Sequence, residues 1–255
     1  MGPLYHIKLT KPILRGAKIA LLPGDPFRTP LIGAALAERN GTESRELAWN
    51  REFRSHLVNV KGAHVLVTST GIGGPSTSIA VDELAQLGVE TFIRVGTTGA
   101  IQETITVGDV IVTTGAVRLD GASTHYAPIE YPAVAHHTVV NALVAGTAEA
   151  GVTCHTGVTA SSDTFYPGEE RTDAYRKYIL RRFRGATEEW RNLHVLNYEM
   201  ESATLLTMTA SMGLKGGALT GVVNVAGGDA ISQGGLKKGE ANVIKAVQGA
   251  VEHLL

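Results

Sequence analysis

The sequence predicts an α/β protein, on three observations. Short β-branched runs alternate with longer segments of helical periodicity, the runs end at glycine-bearing turns, and no Pro/Ser-rich linker or charge block divides the 255 residues. The chain therefore reads as one domain, residues 1–255, an α/β sandwich with its ligand site at the strand ends. Predicted strands are Ile19–Leu22, Val65–Thr70, Thr91–Val95, Val110–Thr113, Val158–Ser161 and Ala218–Val225. After Pro75, a helical face of Ala80, Leu84 and Leu87 opposes Asp82, Glu83 and Gln86, and Gly88 stops the helix. A second apolar helical run covers Ala203–Met208. In the last segment Val243, Ala246, Val247, Ala250, Val251 and Leu254 recur at helical spacing and leave Lys245, Gln248 and Glu252 in water. Gly227–Gly239, with five glycines, predicts a mobile loop.

Composition narrows the function. Lys and Arg total 23 against 24 Asp and Glu, a net charge of −1, which argues against nucleic acid as the main partner and leaves room for a small anion held by a local basic cluster. The single Cys154 excludes an internal disulfide and a cysteine-rich metal site, and it reads as a structural thiol. The nine histidines, His136 and His137 included, lack a metal-ligand spacing and read as surface or structural groups. No charged-then-apolar leader and no apolar run near the ~20 residues of a membrane span is visible, so a cytoplasmic protein without membrane association is expected.

Four segments carry chemistry. FIRVGTTGA, residues 92–100, follows a β-branched run with an arginine and a glycine-threonine turn. There Arg94 would point its planar fork outward, Gly96 and Gly99 would let an anion approach the backbone, and Thr97 and Thr98 would add hydroxyl donors. PGDPFR, residues 23–28, repeats that character after Ile19–Leu22, and two such mouths suit one shared phosphate. In NYEMESATLLTM, Glu199 and Glu201 flank Met200 at a helix start; they read equally as helix-dipole partners and as acceptors for a vicinal diol beside an apolar wall. SSDTFYPGEER crowds Asp163, Phe165, Tyr166, Glu169, Glu170 and Arg171 about a Pro-Gly turn. It suits a planar heterocycle, or else a core aromatic beside a solvated charged turn.

A phosphate site, a diol acceptor and a base pocket describe a nucleoside plus phosphate, and here the chain resembles the uridine phosphorylases of the nucleoside phosphorylase superfamily. STGIGGPSTSIAVDELAQLG, RVGTTGAI, VGDVIVTT, VRLDGAS, TASSDTFYPG and NYEMESATLLTM carry the resemblance, in order, over nearly the whole length. It implies a central mixed β-sheet flanked by helices and a pentosyltransferase of pyrimidine salvage that converts uridine and phosphate to uracil and ribose 1-phosphate. It further implies a homohexamer built as a trimer of dimers, with inorganic phosphate as co-substrate and no catalytic cofactor. By the same resemblance Gly24, Arg28, Arg94 and Thr97 match phosphate-binding positions, and Arg51 in NREF matches an arginine lent by the neighbouring subunit. His6 matches a histidine donated across the dimer to the ribose, and Thr97, Glu199, Met200 and Glu201 match ribose-binding positions. Thr98, Gly99, Phe165, Glu169 and Arg171 fall at base positions, and Glu52, Ile72 and Ser76 match a structural potassium site at a dimer interface.

Two departures bear on the base. Uridine phosphorylases carry glutamine where this chain has Glu169, and an ionised glutamate can only accept hydrogen bonds. In Gly221–Asp229 the family's arginine after the asparagine is missing, since Val225 follows Asn224. A phosphorylase for another base, a nucleosidase of the same fold and a weakly active nucleoside-binding paralogue are the alternative readings. The expected reaction needs no nucleophilic side chain: phosphate attacks the anomeric carbon, and charge placement stabilises an oxocarbenium-like transition state.

Overall fold

The computed structural model describes residues 2–225 and 231–255. Along the chain its strands are β1 (Ile19–Leu22), β2 (Ser44–Asn50), β3 (Phe53–Val60), β4 (Ala63–Thr68), β5 (Thr91–Ala100), β6 (Val110–Leu119), β7 (Ala133–Val134), β8 (Cys154–Ser162), β9 (Asn197–Glu199) and β10 (Lys215–Val225). The helices are α1 (Arg28–Asn40), α2 (Gly74–Gln86), α3 (His137–Ala150), α4 (Ala186–Asn192), α5 (Ser202–Ser211) and α6 (Gln233–Glu252). Ten strands form one mixed sheet.

β1 is an unbroken apolar tetrapeptide because both of its faces are covered. Ile19 and Leu21 join one core with α1, α3 and α6, through Ile32, Leu36, Val139, Leu143, Val243 and Val247. Ala20 and Leu22 join a second core with α2 and α5, through Ala80, Leu84, Leu205 and Met208, which the N-terminal Ile7 and Leu9 also enter. These two layers on a sheet are the predicted sandwich. β1 lies parallel between β4 and β5, and the antiparallel β3 and β2 extend the sheet beyond β4. On the other side the pairings close on themselves, from β5 through β10, β6, β8 and β9 back to β5.

The predicted strands all form, most of them longer than their apolar runs. The difference that bears on the site is at residues 96–100, predicted as a turn: β5 continues to Ala100 because β10 and β9 hydrogen-bond it from both sides. The helix after Pro75 starts at Gly74, and Gly88, at φ +97°, follows its end. α6 begins ten residues before Val243, so Gly234, Gly235 and Gly239 of the predicted mobile loop are helical, whereas Gly227 and Gly228 lie outside the described residues. Close packing explains two of them, whereas a Cβ on Gly234 would meet open space. Gly235 and Gly239, one turn apart, face β10; a Cβ on Gly235 would sit 2.7 Å from the Val223 carbonyl oxygen, and one on Gly239 would sit 2.9 Å from that of Val222.

Structural readings account for the outlying groups. Cys154 is a half-buried thiol at the start of β8, and the His136 ring caps α3 by accepting from the Thr138 amide. Glu170 caps α4 by accepting from the Thr187 amide at 2.9 Å, and Asp163 accepts from the Gly121 amide at 2.7 Å. No helix among the described residues is long and apolar enough to cross a membrane.

The helix-on-sheet contact yields a stability prediction. A Cβ at Gly221 of β10 would lie 2.1 Å from the Gly239 carbonyl oxygen, so Gly221→Ala must push α6 off the sheet. The expected cost is about 1–3 kcal/mol, read as a lower urea midpoint than wild type; an unchanged midpoint would show that α6 does not rest on β10 here.

Candidate active site

The parallel strands β1, β4, β5 and β10 end around one cavity of ≈ 710 Å³. Gly24 and Arg28 reach it after β1, Ile72 and Ser76 after β4, Thr97, Thr98 and Gly99 along β5, and Val223 and Asn224 at the end of β10. Phe165, Glu169, Tyr198, Glu199, Met200 and Glu201 close its far side. The register of β10 against β5 slips between Val222 and Asn224, a bulge that turns the Asn224 side chain against Gly99. Of the residues that the resemblance assigns to phosphate, ribose, base or cation, His6, Arg51 and Arg171 do not line the cavity.

Arg94 differs most from its expectation. It lies within β5, only 6% exposed, between two carboxylates of the β9–α5 junction. Its Nε is 2.8 Å from Glu199 Oε2 and its Nη2 is 2.6 Å from Glu201 Oε2. Gly96 makes this possible, because a Cβ there would sit 2.7 Å from the guanidinium carbon. The glycine that suggested close approach of an anion thus admits the arginine itself. Likewise the Thr98 hydroxyl is engaged within the fold, donating to the Tyr198 carbonyl at 2.6 Å and accepting from Asn197.

The helix-start reading of the acidic pair applies to Glu199. Glu199 accepts from the amides of Glu201 and Ser202 at 2.9 and 3.0 Å and so caps α5. Glu201 accepts from the Gly73 amide at 2.6 Å through Oε1, while its Oε2 meets Arg94 by charge and makes no hydrogen bond among the described residues. Burial alone would lower the Arg94 pKa, but Glu201 and Glu199 outweigh it and hold the value above the ordinary one. Burial likewise pushes Glu201 up, against Arg94 and with Glu199, because one cation faces two buried anions.

Glu169 sits at the same cavity with no side-chain partner of its own among the described residues. Burial pushes its carboxyl up to about 8, opposed by Arg171 and reinforced by Glu199 and Glu201. Arg171 is held aside: its Nε and Nη2 donate to Asp173 at 3.1 and 2.9 Å, and its guanidinium lies over the Phe165 ring at 4.3 Å. It backs the aromatic wall instead of facing the cavity.

His6 is tied to α2, its Nδ1 2.7 Å from Glu83 Oε1 and its amide on the same carboxylate. Against burial, the Ile7 amide and the His6 ring hold Glu83 below the usual carboxylate range. At the tip of the β2–β3 hairpin, Glu52 lines the cavity while its neighbour Arg51, at φ +53°, is exposed. Glu52, Ile72 and Ser76 do meet at one corner, where the Ser76 hydroxyl donates to the Ile72 carbonyl at 3.1 Å. That all-oxygen donor set suits a hard monovalent cation in kind, although one chain supplies fewer oxygens than such an ion takes.

The pattern of the phosphorylase superfamily matches residues 18–255. The chain belongs to that superfamily. Among this superfamily's phosphorylases it is 53% identical to the uridine phosphorylase of Salmonella typhimurium over 253 residues, covering 99% of this chain and 98% of that protein. The uridine phosphorylase of Escherichia coli is 52% identical over the same span and coverage, and that of Haemophilus influenzae 48% over 256 residues, the full length of both chains. In this phosphorylase, Tyr198, which lies inside NYEMESATLLTM, and Glu240, which lies in no motif, are residues at the site that the sequence does not single out. Tyr198, burial pushing its hydroxyl up to about 12, lines the cavity from β9. Glu240 pairs with Arg28 across 212 residues of sequence, and only its contact distinguishes it from other helical glutamates.

Arg94→Ala would strand two buried carboxylates, at an expected cost of about 3–5 kcal/mol of stability at neutral pH. Glu201, whose folded pKa burial already raises, would lose the opposing Arg94, so the penalty it carries is absent below the ordinary carboxylate range and grows as pH rises through its folded value. Urea midpoints at pH 5 and 7.5 measure this: the deficit against wild type should shrink at pH 5, and an equal deficit at both would show that charge is not its cause.

Proposed function

We propose that this chain catalyses the reversible phosphorolysis of uridine, transferring the ribosyl group from uracil to phosphate. It would act as one 255-residue domain, in the cytoplasm and in pyrimidine salvage. The observation that carries the reading is that the two arginines, the Glu199–Met200–Glu201 run and the Phe165–Glu169 wall line one cavity in a member of this superfamily. Gly24, Arg28, Arg94 and Thr97 would hold phosphate. Met200 and Glu201 would hold the ribose, with Glu201 Oε2, which meets Arg94 by charge, accepting from a sugar hydroxyl and Glu199 keeping Arg94 in place. Phe165 would stack on the base, near Thr98 and Gly99.

In the reaction a phosphate oxygen attacks the anomeric carbon as the bond to the base nitrogen breaks, and the base leaves with the bonding pair. Phosphate beside the sugar stabilises the developing positive charge, and a donor at the base stabilises the negative charge that moves onto it. Glu169 can be that donor when protonated. A neutral carboxyl has one donor and one acceptor and so meets a carbonyl oxygen and an imide N–H side by side, as glutamine would. An ionised carboxylate would instead favour a base with an exocyclic amine, such as cytosine.

Charge supports an assembly. Among the described residues of one chain the cavity is lined by two arginines against five acidic residues, Asp25, Glu52, Glu169, Glu199 and Glu201. A phosphate dianion needs further cationic charge, and the exposed Arg51 of a neighbouring subunit would bring it, with His6 reaching the ribose from the same side. The proposed assembly is a homohexamer, a trimer of dimers, with a structural potassium ion at the Glu52, Ile72 and Ser76 corner.

Four measurements test this. Uridine, deoxyuridine, thymidine, cytidine and inosine, each with and without phosphate, should give phosphate-dependent turnover with uridine foremost; turnover without phosphate would make the protein a nucleosidase. Glu201→Gln should weaken the discrimination of uridine from deoxyuridine, and an unchanged ratio would return Glu201 to a structural role. With burial pushing its carboxyl up to about 8, Glu169 should pass from protonated to ionised around that pH, so the uridine KM should rise there. Glu169→Gln should flatten that limb, while a limb that persists in the variant belongs to another group. Light scattering should give a hexamer; a fully active monomer at nanomolar concentration would refute the shared site.

A further inference from the structure

Arg28 opens α1 and Glu240 lies in α6, yet their side chains are 7% and 22% exposed and in contact. The Nε of Arg28 donates to Glu240 Oε1 at 3.1 Å, and Nη2 donates to the same oxygen. Nη1 has no hydrogen bond to any described residue, and Arg28 lines the cavity. The backbone that carries Glu240 is fixed, because the preceding Gly239 lies against the Val222 carbonyl of β10. We propose that Glu240 is a positioning residue for the phosphate site, clamping one edge of the Arg28 guanidinium so that the other edge faces the incoming phosphate. This rests on the reading of Arg28 as a phosphate ligand.

Two effects of Glu240 oppose each other. Its negative charge disfavours a nearby anion, whereas its hydrogen bonds keep a long, flexible cation in one orientation. Orientation prevails because Arg28 has other places to go. Asp25 and Glu52 line the same cavity, and an arginine released by Glu240 would turn to them and be lost to phosphate. A carboxylate outside the cavity lining thus protects the arginine from the carboxylates inside it.

Steady-state kinetics of the full-length protein, varying phosphate at saturating uridine and uridine at saturating phosphate, test the assignment. Glu240→Ala should raise the phosphate KM about tenfold or more and leave the uridine KM within about twofold. Glu240→Gln, which keeps an acceptor for the Arg28 edge, should recover most of the phosphate affinity. Should the alanine variant fail to fold, Glu240→Asp, one methylene shorter, should still raise the phosphate KM selectively. An unchanged or lowered phosphate KM in Glu240→Ala or Glu240→Asp, or equal losses for both substrates, would overturn the proposal. Arg28→Ala separates the two levels: if it leaves the phosphate KM unchanged, the phosphate reading of Arg28 falls; if it raises that KM while Glu240→Ala does not, only the role of Glu240 falls.

Discussion

The buried cluster of Arg94, Glu199 and Glu201 is the constraint around which the cavity is arranged. A guanidinium inside a central strand can persist only with counter-charges at contact distance, and the β9–α5 junction supplies both within three consecutive residues. The same two carboxylates cap α5 and hold the Gly73 amide ahead of α2, so the cluster ties β5, α5 and α2 at one point. Gly96 is part of the arrangement because any side chain there would occupy the place of the guanidinium.

A second constraint joins the ends of the chain. α6 lies against β10 where glycines allow backbone-to-backbone contact, and this places Glu240 beside Arg28 from the start of α1. The two arginines of the cavity are therefore each held by carboxylates that the fold delivers. Neither is a loose surface cation awaiting a ligand. The result is a site whose cations are oriented but largely neutralised within one chain, which fits the incomplete charge balance argued for phosphate.

The base side follows different physics. Glu169 has burial and two nearby carboxylates acting on it, while the nearest guanidinium is drawn away by Asp173 and stacks on Phe165. Its carboxyl is consequently pushed up to about 8, into the range where a neutral acid replaces an anion at ordinary pH. A glutamate in this setting presents the same donor and acceptor pair as an amide, and the difference from glutamine becomes one of pH.

The sequence by itself determined what depends on local pattern. The apolar runs became strands, the face ending at Gly88 became α2, and the glycine-threonine and acidic segments came to one cavity at the strand ends, since period and turn chemistry are written residue by residue. The β2–β3 hairpin, α1 and α3 were not legible, because charged residues, an internal proline or dispersed glycines blur their periods and packing alone makes them regular. Tertiary structure alone decided that β5 runs on through its glycines, that Arg94 points inward, that Arg171 turns away, and that Gly234–Gly239 is helical. Each depends on a partner distant in sequence: β10 and β9 for β5, Glu199 and Glu201 for Arg94, β10 for α6. A glycine permits a turn and a close contact equally, and only the neighbour that fills the missing side chain's place decides between them.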